Sequence, residues 1–198
     1  MSGSTAAISR EQLFLQNLRS ATATMHHNLE QTRLSQDLMR ADLSLQRYAT
    51  YLMHMRNVMT AYESILNRAA HLFPKIQYQS KLPLINEDLQ YLSSLVDLPA
   101  ASNYNMPVFD TEAHVLGCMY VIEGSALGGR MILNHIKNVI GFDEQNGARF
   151  FAGAGDKTGM LWKYFLGILT AYVVEHDCEE QVICGAQVTF AAICDYFA

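Results

Sequence analysis

The sequence predicts an all-α protein, a compact multi-helix bundle, and three observations carry the prediction. Apolar residues recur at spacings of three and four through most of the chain, the period that gathers them on one face of a helix. No alternation of period two survives for more than a few residues, so strands lack their signature. Nor is there self-similarity at the periods of about 20 to 50 residues that mark solenoids and propellers.

With 198 residues, half of them hydrophobic, the chain is long enough for one well-buried core and short for two. We therefore expect a frayed, disordered segment over residues 1–10, which are small and polar, and one helical domain over 11–198. Glu11 to Thr32 carries Leu15, Leu18, Thr22, Met25 and Leu29 on one face. Leu43 to Leu72 repeats the pattern with Leu45, Tyr48, Leu52, Met55, Met59, Tyr62, Ile65 and Leu66, and Pro74 marks its end. A looser stretch, Lys75 to Pro83, leads to a short helix, Leu84 to Leu98, stopped by Pro99. Residues 100–110 read as a loop whose Asp110 or Thr111 caps the next helix. That helix runs without proline from Thr111 to Phe142. Phe142 to Gly155 is glycine-rich and irregular, Asp156 is placed to cap Lys157 to Glu175, and a last helix spans Cys178 to Tyr196.

Charge and cysteine usage exclude several classes of function. The net charge is -5 and Lys/Arg do not cluster, so nothing marks a nucleic acid or an anionic membrane as partner. The N-terminus MSGSTAAISREQ lacks a basic segment followed by an apolar one, and no run approaches the about 18 apolar residues of a spanning helix; a cytoplasmic protein is expected. Cys118, Cys178, Cys184 and Cys194 show no CxxC spacing and read as reduced core residues.

Two stretches stand out for chemistry. In the first helix, a rotation of about 100° per residue puts His26 at the edge of the buried face and His27 nearly opposite it. Glu30, four residues on, can accept a hydrogen bond from one imidazole nitrogen and leave the other free. Such a partner fixes the tautomer of an iron-bound histidine; it is equally the ordinary neighbour of a half-buried surface histidine. His54, His71, His114, His135 and His176 are scattered singly. Glu-x-x-His on two helices, His-Glu-x-x-His, GxSxG and the phosphate loop GxxxxGK[ST] are all missing, which removes the main supports for di-iron, zinc-protease, hydrolase and nucleotide chemistry.

The second stretch is EGSALGG, residues 123–129. Three glycines inside a helix give up roughly 3 kcal/mol of local propensity. Gly117, Gly124 and Gly128 share one helical face and Gly129 adjoins it, which makes a groove without side chains. Close packing of another helix and the approach of a flat ligand to the backbone both fit that groove.

Taken together, the two stretches resemble the heme oxygenase family. Leu18-Arg19-Ser20-Ala21-Thr22, then His26, then Glu30 match its proximal helix, and Gly124, Gly128 and Gly129 match the Gly-x-x-x-Gly-Gly of its kinked distal helix. The form EGSxLGG is similar to that of the bacterial enzymes associated with bacteriophytochromes. Tyr48, Leu52, Tyr62, Glu63, Asp88, Leu89 and Leu92 also fit, so the resemblance covers roughly residues 11–197.

The resemblance implies heme held between two helices as both cofactor and substrate, with His26 on the iron and the backbone of Gly124, Gly128 and Gly129 over the opposite face. It implies oxidative cleavage to biliverdin with release of iron and CO, using O₂ and electrons from a donor such as ferredoxin or a reductase, and a link to a biliverdin-binding photoreceptor. Arg19 and Lys163 are then the propionate cations, and Tyr120 either adds a hydroxyl to the pocket or fills core. One departure is plain: Ser125 stands where the animal enzymes carry a water-organising aspartate. A heme-binding protein of the same fold without turnover is the alternative.

Overall fold

The computed structural model describes residues 9–69, 80–100 and 102–198. In chain order its helices are α1 (Arg10–Gln31), α2 (Arg33–Leu38), α3 (Leu45–Ala69), α4 (Leu82–Ser93), α5 (Glu112–Ser125), α6 (Gly129–Ile140), α7 (Arg149–Ala152), α8 (Thr158–His176) and α9 (Glu179–Phe197). Extended pairing among the described residues is confined to an isolated bridge between Asp143 and Gly147. The all-α expectation holds.

Local chemistry explains where the helices begin and end. Ser9 opens α1 with a capping box: its hydroxyl accepts from the Gln12 amide at 3.3 Å and the Gln12 side chain accepts from the Ser9 amide at 3.1 Å. Helix α1 therefore starts at Arg10 behind the Ser9 cap, and residues 1–8, which include most of the expected frayed segment, lie outside the described residues. Phe14, Leu18 and Thr22 form the buried face of α1, and Thr22 satisfies its hydroxyl on the Leu18 carbonyl at 2.8 Å. Helix α2 was not anticipated, because six residues are too few to show a period.

The expected stop of α3 at Pro74 lies outside the described residues, as does the looser stretch up to residue 79. Helix α4 starts at Leu82 and ends at Ser93, not at Leu98. Its end is set by Ser93 and Ser94, whose hydroxyls donate to the carbonyls of Gln90 and Tyr91 at 2.7 and 2.8 Å and so compete with the helix ladder.

Thr111, not Asp110, caps α5, accepting from the His114 amide at 3.2 Å. Eight of the 14 residues of α5 are buried, which makes it the central helix of the bundle. It packs along α9, and α1 lies against α9 and α8. The expected continuous helix 111–142 is broken: a 3-10 turn, Ala126–Gly128, separates α5 from α6, and Gly141 ends α6 at φ 77°, a left-handed position suited to glycine. Asp156 does not cap α8. It sits inside a second 3-10 turn, Gly155–Lys157, with its carboxylate exposed and 3.4 Å from Arg130.

The buried apolar residues of α1 through α9 form one cluster. Cys118 and Cys178 belong to it, Cys194 is half-buried and Cys184 is exposed, so the core reading of the cysteines is corrected at Cys184; all four are free. No helix of the described residues is long and apolar enough to cross a membrane.

Candidate functional site

His26 lies one turn beyond the buried Thr22 on α1, with 61% of its side chain exposed. Its Nδ1 is 3.5 Å from Glu30 Oε1, and its ring meets Phe190 of α9 edge-on at 5.9 Å. Helix α9 also fixes the backbone of α1 on either side. Gln187 Nε2 donates to the Ala21 carbonyl at 3.2 Å, and Cys194 Sγ approaches the Met25 carbonyl at 3.9 Å. The imidazole is thus steadied on its Nδ1 side, and Nε2 has no partner among the described residues. His27 is exposed.

The break between α5 and α6 has a definite chemistry. The Ala126 amide turns to the carbonyls of Glu123 and Gly124, so the Ile122 carbonyl loses its i+4 donor. Ser125 Oγ takes over that carbonyl at 2.7 Å, and Lys81 Nζ reaches it from the start of α4 at 3.5 Å. The ammonium also pairs with Glu123 Oε2 at 3.2 Å. Ser125, read as the distal polar group, therefore spends its proton within its own turn and keeps only acceptor capacity.

The glycines do not form the single groove expected of them. A Cβ on Gly117 would fall 2.6 Å from the Ala186 nitrogen and closer still to the Val182 carbonyl, so this glycine admits α9. A Cβ on Gly129 would lie 2.6 Å from the Phe151 carbonyl oxygen, so this one seats α7; both serve packing. At Gly124 the neighbour is the Trp162 ring, 3.2 Å from the Cβ position. Only Gly128 of the four meets nothing within 4 Å.

Tyr120 is half-buried. Its ring packs on Trp162 at 5.4 Å, while its hydroxyl faces α1. Burial pushes its pKa up, and hydrogen bonds with Thr22 and Arg19, with the positive charge of Arg19, hold it back. Arg19 and Lys163 are exposed, Lys163 on the same turn of α8 as Trp162.

Sequence reasoning missed the roles of three residues. Trp162, the one tryptophan of the chain, covers Gly124 and stacks on Phe165 at 5.6 Å. Lys81 braces the break from outside. Asp88 is fully buried and caps α7 by accepting from the Arg149 and Phe150 amides, both at 2.9 Å. Burial pushes the Asp88 carboxyl up to about 6, against the pull of those two amides and of Arg149. This cap holds the turn whose Phe151 carbonyl rests on Gly129. Tyr48 secures the preceding loop, donating to the Gly147 carbonyl at 2.7 Å. A lone tryptophan and a buried-pattern aspartate in α4 were the available signals; nothing local marked Lys81.

Two surface cavities, of about 290 and 440 Å³, flank α4 on its Met53–Leu98 and Asp88–Arg149 sides and do not include His26. No cluster of three or more metal-ligating side chains occurs among the described residues. A single unclaimed imidazole nitrogen suits heme, whose porphyrin supplies the remaining donors. The open Gly128 suits a flat ring, and the exposed Arg19 and Lys163 suit its carboxylates. The residues present fit the group.

The fold and these groups define a class: all-α proteins in which a histidine-bearing first helix accompanies a central helix broken at glycines. The family model for heme oxygenase matches residues 12–198. A heme oxygenase of Xanthomonas campestris pv. campestris is 31% identical over 118 residues, which span 58% of this chain and 66% of that protein. Among solved structures, the NO- and CO-bound heme oxygenase of Neisseria meningitidis has a TM-score of 0.73 at 23% identity, covering 93% of this chain and 92% of that one. The heme complex of heme oxygenase-1 from the cyanobacterium Synechocystis has a TM-score of 0.69 at 16% identity, covering 93% and 90%. This chain belongs to the heme oxygenase family.

Proposed function

We propose that the protein is a heme oxygenase in activity as well as in family, opening heme to biliverdin with release of iron and CO. One observation carries the reading beyond the family match: His26 presents an unclaimed nitrogen on α1 while the glycine break leaves Gly128 facing open space. Heme supplies the iron that binds O₂ and is itself the ring that is cleaved. His26 would hold the substrate through Nε2, and Glu30, with Oε1 3.5 Å from Nδ1, orients the ring so that Nε2 is the nitrogen left free. Arg19, Tyr120 and Lys163 anchor the propionates at the edge of the site. Gly128 keeps a side chain off the distal face, Gly124 leaves room there for the Trp162 ring, and Ser125 Oγ accepts a hydrogen bond from a distal water. Electrons come from an external donor, a ferredoxin or a reductase. The reading extends to a bacterial, cytoplasmic protein that either supplies biliverdin to a photoreceptor or serves to release iron from heme.

A heme-holding protein without turnover is the second reading, and a specific observation favours it: the Ser125 proton is donated to the Ile122 carbonyl, so Ser125 offers neither a carboxylate's charge nor a free proton. The test is to add hemin, record the visible spectrum, then supply ascorbate or a ferredoxin system with an iron chelator and O₂. Decay of the Soret band with growth of biliverdin absorbance establishes turnover. A hemin complex that persists under these conditions supports the second reading, and failure to form a complex rejects both.

A further inference from the structure

The break in the distal helix is held from outside by a charge pair whose second member comes from another helix. Glu63 on α3 gathers the start of α4, its Oε1 accepting from the Lys81 and Leu82 amides at 3.0 and 3.3 Å and its carboxylate from the Ser80 hydroxyl. That anchors the Lys81 backbone and aims its side chain at the last turn of α5. There the ammonium lies 3.2 Å from Glu123 Oε2 and 3.5 Å from the Ile122 carbonyl. Lys81 and Glu123 are mostly buried, at 17% and 24% side-chain exposure, so water screens the contact little. Glu123 Oε1 is buried with no partner among the described residues, and among them Lys81 is the cation that offsets the carboxylate.

The Ile122 carbonyl is the meeting point. It is the group the break deprives of a helical donor, the group that fixes the Ser125 hydroxyl, and the group the ammonium reaches. A cation at a helix C-terminus also meets the negative end of the helix dipole. We propose that Lys81 and Glu123 are positioning residues for the distal face: they hold the α5–α6 break, and through the shared carbonyl they set the placement of Ser125 and Gly128. Neither residue touches the substrate. The inference deepens the proposed activity and rests on it for its catalytic consequence, while its structural part concerns the heme-free chain.

The experiment compares wild type, Lys81→Met, Lys81→Arg, Glu123→Gln and a control, Arg56→Met, whose guanidinium instead bonds Asn86 elsewhere on α4. Amide hydrogen exchange of the heme-free proteins is followed by mass spectrometry, alongside hemin titration and biliverdin formation. Lys81→Met and Glu123→Gln are expected to speed exchange across residues 122–130 at least tenfold, with peptides of α1 and α9 unchanged. Hemin affinity should move less than about threefold while biliverdin formation falls about tenfold, the scale of a small misplacement near reacting groups. Lys81→Arg should restore both, and Arg56→Met should change neither. Exchange at 122–130 unchanged in both Lys81→Met and Glu123→Gln, or raised equally throughout the chain, would overturn the proposal. Should Lys81→Met not fold, Glu123→Gln, which keeps the shape of the side chain, decides the same question. If the wild type does not turn hemin over, the proposed activity fails, and the exchange measurement still judges the brace.

Discussion

Replacing Gly128 by alanine is expected to make the heme-free protein more stable and the heme-handling protein worse. Gly128 has φ -76° and ψ -15°, an ordinary right-handed conformation that alanine adopts without strain. A Cβ there meets nothing within 4 Å. The substitution therefore removes unfolded-state freedom at no contact cost, worth about 0.5–1 kcal/mol. In a chain of about 200 residues that corresponds to a rise in Tm of roughly 1–4 °C. With heme in place the same methyl would lie on the proposed distal face, and overpacking of about 1–3 kcal/mol predicts a loss of roughly fivefold to 150-fold in hemin affinity or in biliverdin formation.

Gly117→Ala is the matched control. Its Cβ would collide with backbone of α9, 2.6 Å from the Ala186 nitrogen, and backbone does not give way as a side-chain tip does. A loss of about 3 kcal/mol or more is expected, with Tm falling by several degrees. Thermal unfolding followed by circular dichroism reads the first effect, and Soret titration with the turnover assay reads the second. A lower Tm for Gly128→Ala would mean the space is not empty. A higher Tm with hemin binding and turnover both unchanged would refute the assignment of Gly128 to the distal face.

His26→Ala should abolish the five-coordinate histidine signature in the spectrum of the hemin complex, and added imidazole should restore it; a spectrum identical to wild type refutes the proximal assignment. Asp88 gives a pH dependence. Its carboxyl is raised from near 3.8 to about 6, so between those values the folded state binds a proton that the unfolded state does not. The associated stability is present below about pH 4 and lost as pH rises through 6. Two units correspond to about 3 kcal/mol, so the stability of wild type relative to Asp88→Asn should fall by about that amount from pH 4 to pH 7 in urea titrations. A difference that grows with pH refutes the burial argument. Tyr48→Phe strips the Gly147 carbonyl of its 2.7 Å donor and should cost about 1–3 kcal/mol in the same titrations; a cost near zero would mean that water replaces the hydroxyl.

What the sequence made legible follows the range of the interactions involved. The face of α1 was readable because Leu18 and Thr22 repeat within one helix, and the Thr111 cap because a cap bonds residues three apart. Helix α2 is shorter than the window in which a period can be seen. The end of α4 escaped because two serine hydroxyls override a proline five residues downstream. Lys81, Asp88 and Trp162 escaped for a different reason. Each acts on a residue 42, 62 or 38 positions away, and no spacing rule within an element reports such a meeting. His26 with Glu30 was readable as a pair, but which imidazole nitrogen faces Glu30 needed the rotamer, and the packing of Phe190 on the ring needed the position of α9.

The glycines of EGSALGG show how far such reading goes. Periodicity assigned Gly117, Gly124 and Gly128 to one surface and asked a single question of them, whether a helix or a ligand lies there. The 3-10 turn divides the surface, and the answers divide with it. Gly117 and Gly129 are explained by the chain itself, since backbone of α9 and of α7 occupies the space their side chains would need. Gly124 is explained in part by the Trp162 ring. Gly128 has no such explanation: its dihedrals suit any residue, its Cβ position is open, and alanine there would improve stability. Among the described residues nothing of the chain fills the space beside Gly128, which leaves it open to the ring the site is proposed to hold. That makes Gly128, more than the motif around it, the position at which the proposed heme contact stands or falls.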